Sequence, residues 1–236
     1  MLPDTSTVKS SLRKSIIQTH RARGKGLNNI WLVYSHKSNR DLILPSDRQL
    51  IHWLYYLESN PEVTIFKLPW EKIISQDESG IKATIFDAEV VKSNGLSEWH
   101  EVKAGTSKCA PEHLSQMQAQ INASKNHNIK YVRFNDIQLK PKVKVALRWF
   151  KALHYVAAIR NQQLIPCRNS LIILIQKMKS GTLKSVLDRM DNFEESVVIG
   201  MVVRLAIENI LSLNLHDRTL GYCTQWKLYE QNIYEP

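Results

Sequence analysis

Two β-prone segments separated by an Asn-Gly pair constrain the fold of this chain more than any other feature. The segments are residues 82–91 and 97–103, and Asn94-Gly95 lies between them. An Asn-Gly pair between such segments is the strongest short-range signal for an antiparallel hairpin, because both residues adopt positive φ at little cost. The hairpin predicts adjacent antiparallel strands at the centre of the fold.

The length of the hairpin loop decides which side chains share a face of the sheet. A three-residue loop, Ser93-Asn94-Gly95 with Gly95 in the left-handed region, places Asp87 directly opposite Glu101. A strict two-residue Asn-Gly turn shifts the partners by one and turns Asp87 to the other face. Glu101 and Lys103 share a face with either loop, because side chains alternate along a strand.

With the longer loop, an aspartate, a glutamate and a lysine meet on one face. Neighbouring carboxylates hold one or two Mg²⁺ ions, which activate a water and stabilise the leaving oxygen during phosphodiester hydrolysis. A nearby lysine orients that water or stabilises the charged phosphate. We therefore predict a catalytic site of Asp87, Glu101 and Lys103, with Asp87, Glu101 and the Val102 carbonyl as metal ligands. A solvated sheet face that carries the same residue types is the alternative.

The elements around the hairpin predict an α/β fold. A helix should begin after Ser46, which is a good N-cap residue, with Gln49 at the third position to complete a capping box. Further strands are predicted over residues 63–68 and 130–134 and within 30–44, and further helices over 112–126 and 142–160. Helices interleaved with strands in this order indicate a mixed sheet flanked by helices, as in restriction endonucleases.

The C-terminal part has a different pattern. Asn161-Gln162-Gln163 is a candidate boundary. Beyond it, helices are predicted over 170–178, 182–190 and 194–210, and two strands over 211–216 and 222–229. Three helices and a hairpin indicate a small winged helix-turn-helix domain. The predicted division is a basic arm (1–29), an α/β domain (30–162) and the winged-helix domain (163–236).

The charge of the chain favours a polyanionic partner. The formal net charge is +10, and residues 1–48 hold nine Lys/Arg against three Asp. A basic arm neutralises phosphates and gives salt-dependent DNA binding, although a solvated tail has the same composition. The predicted DNA-binding residues are Arg21, Arg23, Lys25, Lys37 and Arg40.

Several classes of protein are not indicated. No apolar run is long enough for a membrane span, and the N-terminus lacks the apolar stretch of a secretory signal. The three cysteines form neither a disulfide framework nor a zinc pattern, and no phosphate-binding GxxxxGK[ST] loop occurs. A cytoplasmic protein without a membrane partner is expected.

These motifs, in this order and spacing, resemble those of TnsA-type endonucleases, which have a PD-(D/E)xK core and a C-terminal winged helix. The resemblance runs from about residue 26 to 229 and rests on residues 38–40, 46–49, 57–63, 101–103 and 130–136 together with Asp87. It implies an endonuclease that requires Mg²⁺, or Mn²⁺ in its place, and cuts the 5′ strand at transposon ends in bacteria. It also implies a TnsB-like DDE transposase as partner and a TnsC-like AAA+ regulator that contacts the C-terminal domain.

One position departs from the family pattern. The family has a further active-site glutamate at the start of the first core helix, where this chain has Gln49. An amide binds a divalent cation more weakly than a carboxylate, so either Asp47 substitutes in a rotated helix or the site relies on Glu101. We expect an active enzyme with Gln49 in a diminished role. The alternatives are a stand-alone restriction or repair nuclease and a catalytically weakened DNA-binding assembly factor.

Overall fold

A computed structural model describes residues 29–68, 73–77, 80–106 and 114–229 together with positions 14, 16, 18 and 21, and it describes no side chains for 73–84. In chain order the elements are β1 (Trp31–Ser35), β2 (Arg40–Leu44), α1 (Asp47–His52) continued by a π-helical segment (Trp53–Glu58), β3 (Val63–Lys67), β4 (Ile73–Asp77), β5 (Gly80–Thr84), β6 (Ala88–Lys92), β7 (Ser97–Val102), α2 (Leu114–Asn126), β8 (Lys130–Phe134), α3 (Asp136–Leu139) continued by a 3₁₀ turn (Lys140–Lys142), α4 (Val143–Ala158), α5 (Ile165–Met178), β9 (Ser180–Thr182), α6 (Leu183–Leu187), α7 (Glu195–Ile207), β10 (Leu211–Leu213) and β11 (Gln225–Leu228).

The centre of the fold is a mixed four-stranded sheet with helices on both faces. Its strand order is β3-β6-β7-β8, in which β7 and β8 are parallel and the other pairs antiparallel. On one face Trp99 packs against Phe86 and Ala123 of α2. On the other face His100 packs against His52 of α1. The predicted α/β class is confirmed.

The central hairpin has the register that the longer loop predicts. Ala88 pairs with His100 and Val91 with Ser97, which leaves Ser93-Asn94-Gly95 as the loop. Gly95 has φ +80°, a conformation that residues with a Cβ adopt only at a cost. The left-handed glycine thus sets the register of β6 and β7, which brings Asp87 and Glu101 to the same end of the hairpin.

The single predicted strand over residues 82–91 is wrong. The chain leaves the ladder at Ile85–Asp87, so that β6 begins only at Ala88. The preceding segment forms β5, which pairs with β4 in a separate two-stranded sheet that the sequence pattern did not indicate. The physical reason is the local geometry of Asp87, whose N–H donates to the His100 carbonyl at 2.9 Å while its side chain turns toward β7.

The N-terminal part of the described chain follows the sequence pattern. β1 and β2 form an antiparallel hairpin whose turn contains Asn39 at φ +47°. Ser46 caps α1 by accepting a hydrogen bond from the Gln49 N–H. The Gln49 side chain does not turn back to close a capping box but donates to Asp87.

The C-terminal part contains three helices and a three-stranded sheet. α5 begins five residues earlier than predicted, and α7 ends at Ile207 rather than at residue 210. The two predicted strands pair as β10 and β11, and the unpredicted β9 completes the order β10-β11-β9. Thr182 caps α6 as expected, through a hydrogen bond from the Ser185 N–H. None of the described helices combines the length and the apolar character that a membrane span requires.

One hydrophobic core continues across the boundary predicted at residues 161–163. Its buried members include Leu54 of the π-helical segment, Leu153 of α4 and Val202 of α7. Polar contacts also cross the boundary: Arg204 donates to the Ile159 carbonyl at 2.6 Å and Lys151 to the Leu220 carbonyl at 3.1 Å. The division into domains stays a prediction, and the described parts share one interior.

Candidate active site

Asp87 is held between α1 and β7 by both of its carboxylate oxygens. Oδ1 accepts a hydrogen bond from Gln49 Nε2 at 2.7 Å, and Oδ2 accepts one from the Val102 N–H at 2.6 Å. Each oxygen keeps a further lone pair, because an ionised carboxylate has about four acceptor sites. Asp87 is therefore oriented rigidly and retains capacity for another ligand.

Glu101 and Lys103 form the second half of the site. Lys103 Nζ lies 2.6 Å from Glu101 Oε1. Glu101 is only 2% exposed, and among the described residues its Oε2 has no hydrogen-bond partner. A buried polar atom without a partner costs about 1–3 kcal/mol, and more when it is charged. An oxygen in this state is a strong indication that the site is built for a ligand.

Burial disfavours the ionisation of both carboxylates. Burial, followed by the charge of Asp87, raises the pKa of Glu101 to about 7 against the opposing effects of Lys103 and of the Gln120 side chain. Burial also raises the pKa of Asp87, although the hydrogen bonds from Val102 and Gln49 and the charge of Lys103 oppose it. Paired carboxylates with raised pKa values are characteristic of sites in which a cation or a shared proton supplies the missing charge.

The donor set fits a hard divalent cation. Mg²⁺ and Mn²⁺ take oxygen ligands, and two carboxylates with a carbonyl or amide oxygen are sufficient when water completes the shell. No cluster of three or more His, Cys, Asp or Glu residues suited to a metal occurs in the described part of the chain. The neutral groups that contact the Asp87 carboxylate among the described residues are the Gln49 amide and the Val102 N–H.

Asp47 does not take the place of the missing glutamate. Its carboxylate accepts hydrogen bonds from Trp31 Nε1 at 2.8 Å and from Asn29 Nδ2 at 3.0 Å, which turns it toward the N-terminal hairpin. The alternative of a rotated helix is therefore wrong. Gln49 is the α1 residue that contacts Asp87.

A buried hydrogen-bond chain lies behind the site. His52 Nε2 is 3.0 Å from His100 Nδ1, and His100 Nε2 is 3.1 Å from Glu98 Oε2. Burial lowers the pKa of both histidines, so both rings are neutral. His100 and Glu98 share the face opposite Glu101, as their spacing predicts, and His100 is structural. His52 was not singled out from the sequence; its position three residues after Gln49 on α1 is the signal that indicates it.

The helix after β7 contributes a further residue. His113, Gln116 and Gln120 share one predicted face of this helix, for which a solvated role is the favoured interpretation. Gln120 is instead buried and donates to the Ile85 carbonyl at 3.4 Å, next to the segment that positions Asp87. Gln116 is exposed, and His113 lies outside the described residues.

The predicted DNA-binding residues are in different situations. Lys37 donates to the Leu57 carbonyl at 2.9 Å and the Asn60 carbonyl at 2.6 Å, and burial lowers its pKa to about 8. Its ammonium is engaged inside the protein, and we leave it out of the DNA-binding set. Arg21 and Arg40 are exposed, whereas Arg23 and Lys25 lie outside the described residues.

Comparison with known proteins adds no identification. A scan against protein-family models found no match, and a search of curated proteins found none. The function is therefore argued from the site itself and from the resemblance in its motifs.

Proposed function

We propose that this protein is a Mg²⁺-dependent DNA endonuclease of the TnsA type. Asp87, Glu101, Lys103 and Gln49 converge at one end of the central sheet. The observation that carries the proposal is the buried Glu101 Oε2, which makes no hydrogen bond of ordinary geometry to any described residue and lies near the half-buried carboxylate of Asp87. Its substrate is the 5′ strand at transposon ends, cut in the bacterial cytoplasm together with a DDE transposase.

The residues have distinct roles in this proposal. Asp87 and Glu101 hold the cation, with the Val102 carbonyl as a further ligand. The bound cation supplies the Lewis acidity that activates water and stabilises the leaving oxygen. Lys103 directs its side-chain nitrogen at the attacking water or the phosphate. Gln49 orients the Asp87 carboxylate through its 2.7 Å hydrogen bond and leaves the site with two negative charges.

The C-terminal part is proposed to bind protein rather than to read DNA. The proposal that this part is a winged helix is supported by its order of helices and strands, α5-β9-α6-α7-β10-β11. In winged-helix proteins that read DNA the third helix enters the major groove, but here eight of the thirteen residues of α7 are buried. We propose that the remaining surface docks an AAA+ regulator, and that DNA is bound by the arm (Arg21, Arg23, Lys25) and Arg40.

The proposal is tested by cleavage of DNA that carries transposon ends, in Mg²⁺, with the partner transposase present. We expect Asp87→Ala and Lys103→Ala each to lower the rate of 5′-strand cleavage by about 10²-fold or more. Asp191→Ala, which removes an exposed carboxylate from the C-terminal part, is the matched control and should cut like wild type. Unchanged cleavage by Asp87→Ala and Lys103→Ala would sink the assignment.

Gln49 favours one rival function, that of an assembly factor in which the nuclease core is a scaffold. This rival predicts that wild type and Asp87→Ala support transposition equally and that neither cuts DNA. Gln49→Glu separates the two ideas further, because a third carboxylate should raise Mg²⁺ affinity only where a cation site exists. Cutting without the transposase would instead indicate a stand-alone restriction or repair nuclease.

A further inference from the structure

Arg133 occupies the strand next to Glu101 on the same face of the sheet. β7 and β8 are parallel, and Glu101 is paired with Arg133. Paired residues on neighbouring strands project to the same side, so the guanidinium and the buried carboxylate share a face. Met117, in the first turn of α2, contacts Arg133 from above. Glu101 and Arg133 lie at the end of the sheet where β7 leads into Lys103.

The hydrogen bonding of Arg133 sets it apart from other arginines of the fold. Its only acceptor among the described residues is the thioether of Met117, with Nη1 at 3.8 Å from Sδ. A thioether is a weak acceptor, and a guanidinium has five N–H donors. By contrast, Arg48 lies 2.6 Å from Asp136 and Arg160 lies 2.8 Å from Asp41.

The missing partner of Arg133 is therefore an anion that the described part of the chain does not provide. The nearby basic residue Lys103 already pairs with Glu101 at 2.6 Å, so its charge is balanced. Arg133 is half-buried and its charge is not balanced by any described carboxylate within ion-pair distance. A guanidinium matches the oxygens of a phosphate through two parallel hydrogen bonds, which an ammonium does not provide.

We infer that Arg133 binds a backbone phosphate of the DNA strand that enters the site. The inference rests on the proposed function and deepens it, because it names the residue that positions the substrate beside the two carboxylates. The contact of Nη1 with the Met117 thioether leaves the guanidinium without a charged partner among the described residues, which a phosphate would supply.

The test is the salt dependence of DNA binding. Wild type and variants are titrated with a 30-base-pair duplex in Ca²⁺ over a series of salt concentrations. Loss of one phosphate contact should reduce the slope of log Kobs against log[salt] by about one. We expect this reduction for Arg133→Met and Arg133→Gln, whereas Arg133→Lys keeps the wild-type slope. Arg189→Ala removes an exposed arginine of the C-terminal part and should leave the slope unchanged.

The inference is overturned if Arg133→Met or Arg133→Gln melts like wild type and keeps the wild-type slope of log Kobs against log[salt]. Two neutral variants are used because Met at position 133 keeps a long aliphatic side chain and Gln keeps a polar end. In the cleavage assay Arg133→Met should be slower by about 10²-fold, with Arg133→Lys between it and wild type.

The two proposals fail in different ways. A reduced slope in Arg133→Met, together with a wild-type protein that never cuts DNA, supports the phosphate contact and refutes the nuclease. Asp87-dependent cleavage together with unchanged slope and rate in Arg133→Met refutes the phosphate contact alone.

Discussion

Glu101 is the residue at which the energetic cost of the site is concentrated. Its carboxyl group is buried, has Asp87 as a neighbour and has one oxygen without a partner among the described residues. Without a cation, the folded protein favours the protonated form, because proton binding removes the charge that burial penalises. The stability of the protein without metal should therefore depend on pH through this residue.

Glu101→Gln should stabilise the metal-free protein at alkaline pH. The pKa of Glu101 is raised to about 7 from 4.5, so the folded state binds the extra proton between these values and wild type loses stability as pH rises through them. The variant avoids this loss, and we expect a gain of about 1–3 kcal/mol at pH 8 that disappears near pH 4.5. Urea unfolding of both proteins in EDTA at pH 8 and at pH 4.5 measures the difference in stability at each pH.

Added Mg²⁺ should make wild type more stable than Glu101→Gln, which reverses the order expected without metal. A cation that binds the folded wild type stabilises it by mass action, and the variant lacks the ligand that binds the cation. A wild type whose stability is the same at pH 5 and pH 8, or one that does not respond to Mg²⁺, contradicts this reading of Glu101.

At the scale of elements, the site depends on how α1 sits against β7. Gln49 reaches Asp87 from α1, and three residues later His52 bonds to His100 of β7. Glu98 accepts from the Nε2–H of His100, so the neutral ring accepts at Nδ1 from the Nε2–H of His52. These hydrogen bonds connect α1 to β7 directly behind the site.

His52→Phe should weaken this attachment. It leaves His100 Nδ1 buried without a donor, and we expect a loss of about 1–3 kcal/mol in the free energy of unfolding at pH 7.5. Because α1 also carries Gln49, the Mg²⁺-induced increase in melting temperature should shrink as well. Thermal unfolding with and without Mg²⁺ measures both effects.

His154→Phe is the matched control for this variant. His154 is exposed on α4 and its ring bonds only locally to the Phe150 carbonyl. Equal stability of His52→Phe and His154→Phe would show that the buried histidine pair does not hold α1 in place.

At the scale of the whole molecule, the close packing of α4 and α7 joins the part that contains the four-stranded sheet to the C-terminal part. Gly200 of α7 lies against α4, where an added Cβ would be 2.8 Å from the Tyr155 carbonyl oxygen and 2.8 Å from Ile159 Cδ1. The absence of a side chain allows this approach, and the shared core makes unfolding of the two parts a common event.

Gly200→Ala should destabilise the entire protein. We expect a loss of about 1–3 kcal/mol, because a methyl group forced against backbone strains a well-packed interior. Thermal unfolding followed by tryptophan fluorescence and by circular dichroism should show one lowered transition in both signals. Gly221→Ala, where an added Cβ meets nothing within 4 Å, should melt like wild type. Two separated transitions in Gly200→Ala would mean that the parts unfold independently.

Local interactions made part of this structure predictable from the sequence. The pairing of β6 with β7 follows from a three-residue loop with a left-handed glycine, and the common face of Glu101 and Lys103 follows from the period of a strand. The start of α1 follows from the Ser46 cap. Each of these features depends on residues that are close together in the sequence, so it can be predicted without knowledge of the tertiary structure.

Other features were decided only by tertiary structure. The break in the predicted strand at Asp87, the Gln49 bond to that residue and the burial of Lys37 all depend on groups that are distant in sequence. The same holds for the His52–His100 pair and for Arg133 beside Glu101, since no periodicity encodes which strand or helix becomes a neighbour. The sequence by itself determined the register of the central hairpin and the face that Glu101 and Lys103 share, because turn geometry and strand period are local. Only the packed fold decided which of them are buried, paired or left without a partner, because desolvation and hydrogen bonding arise between distant segments.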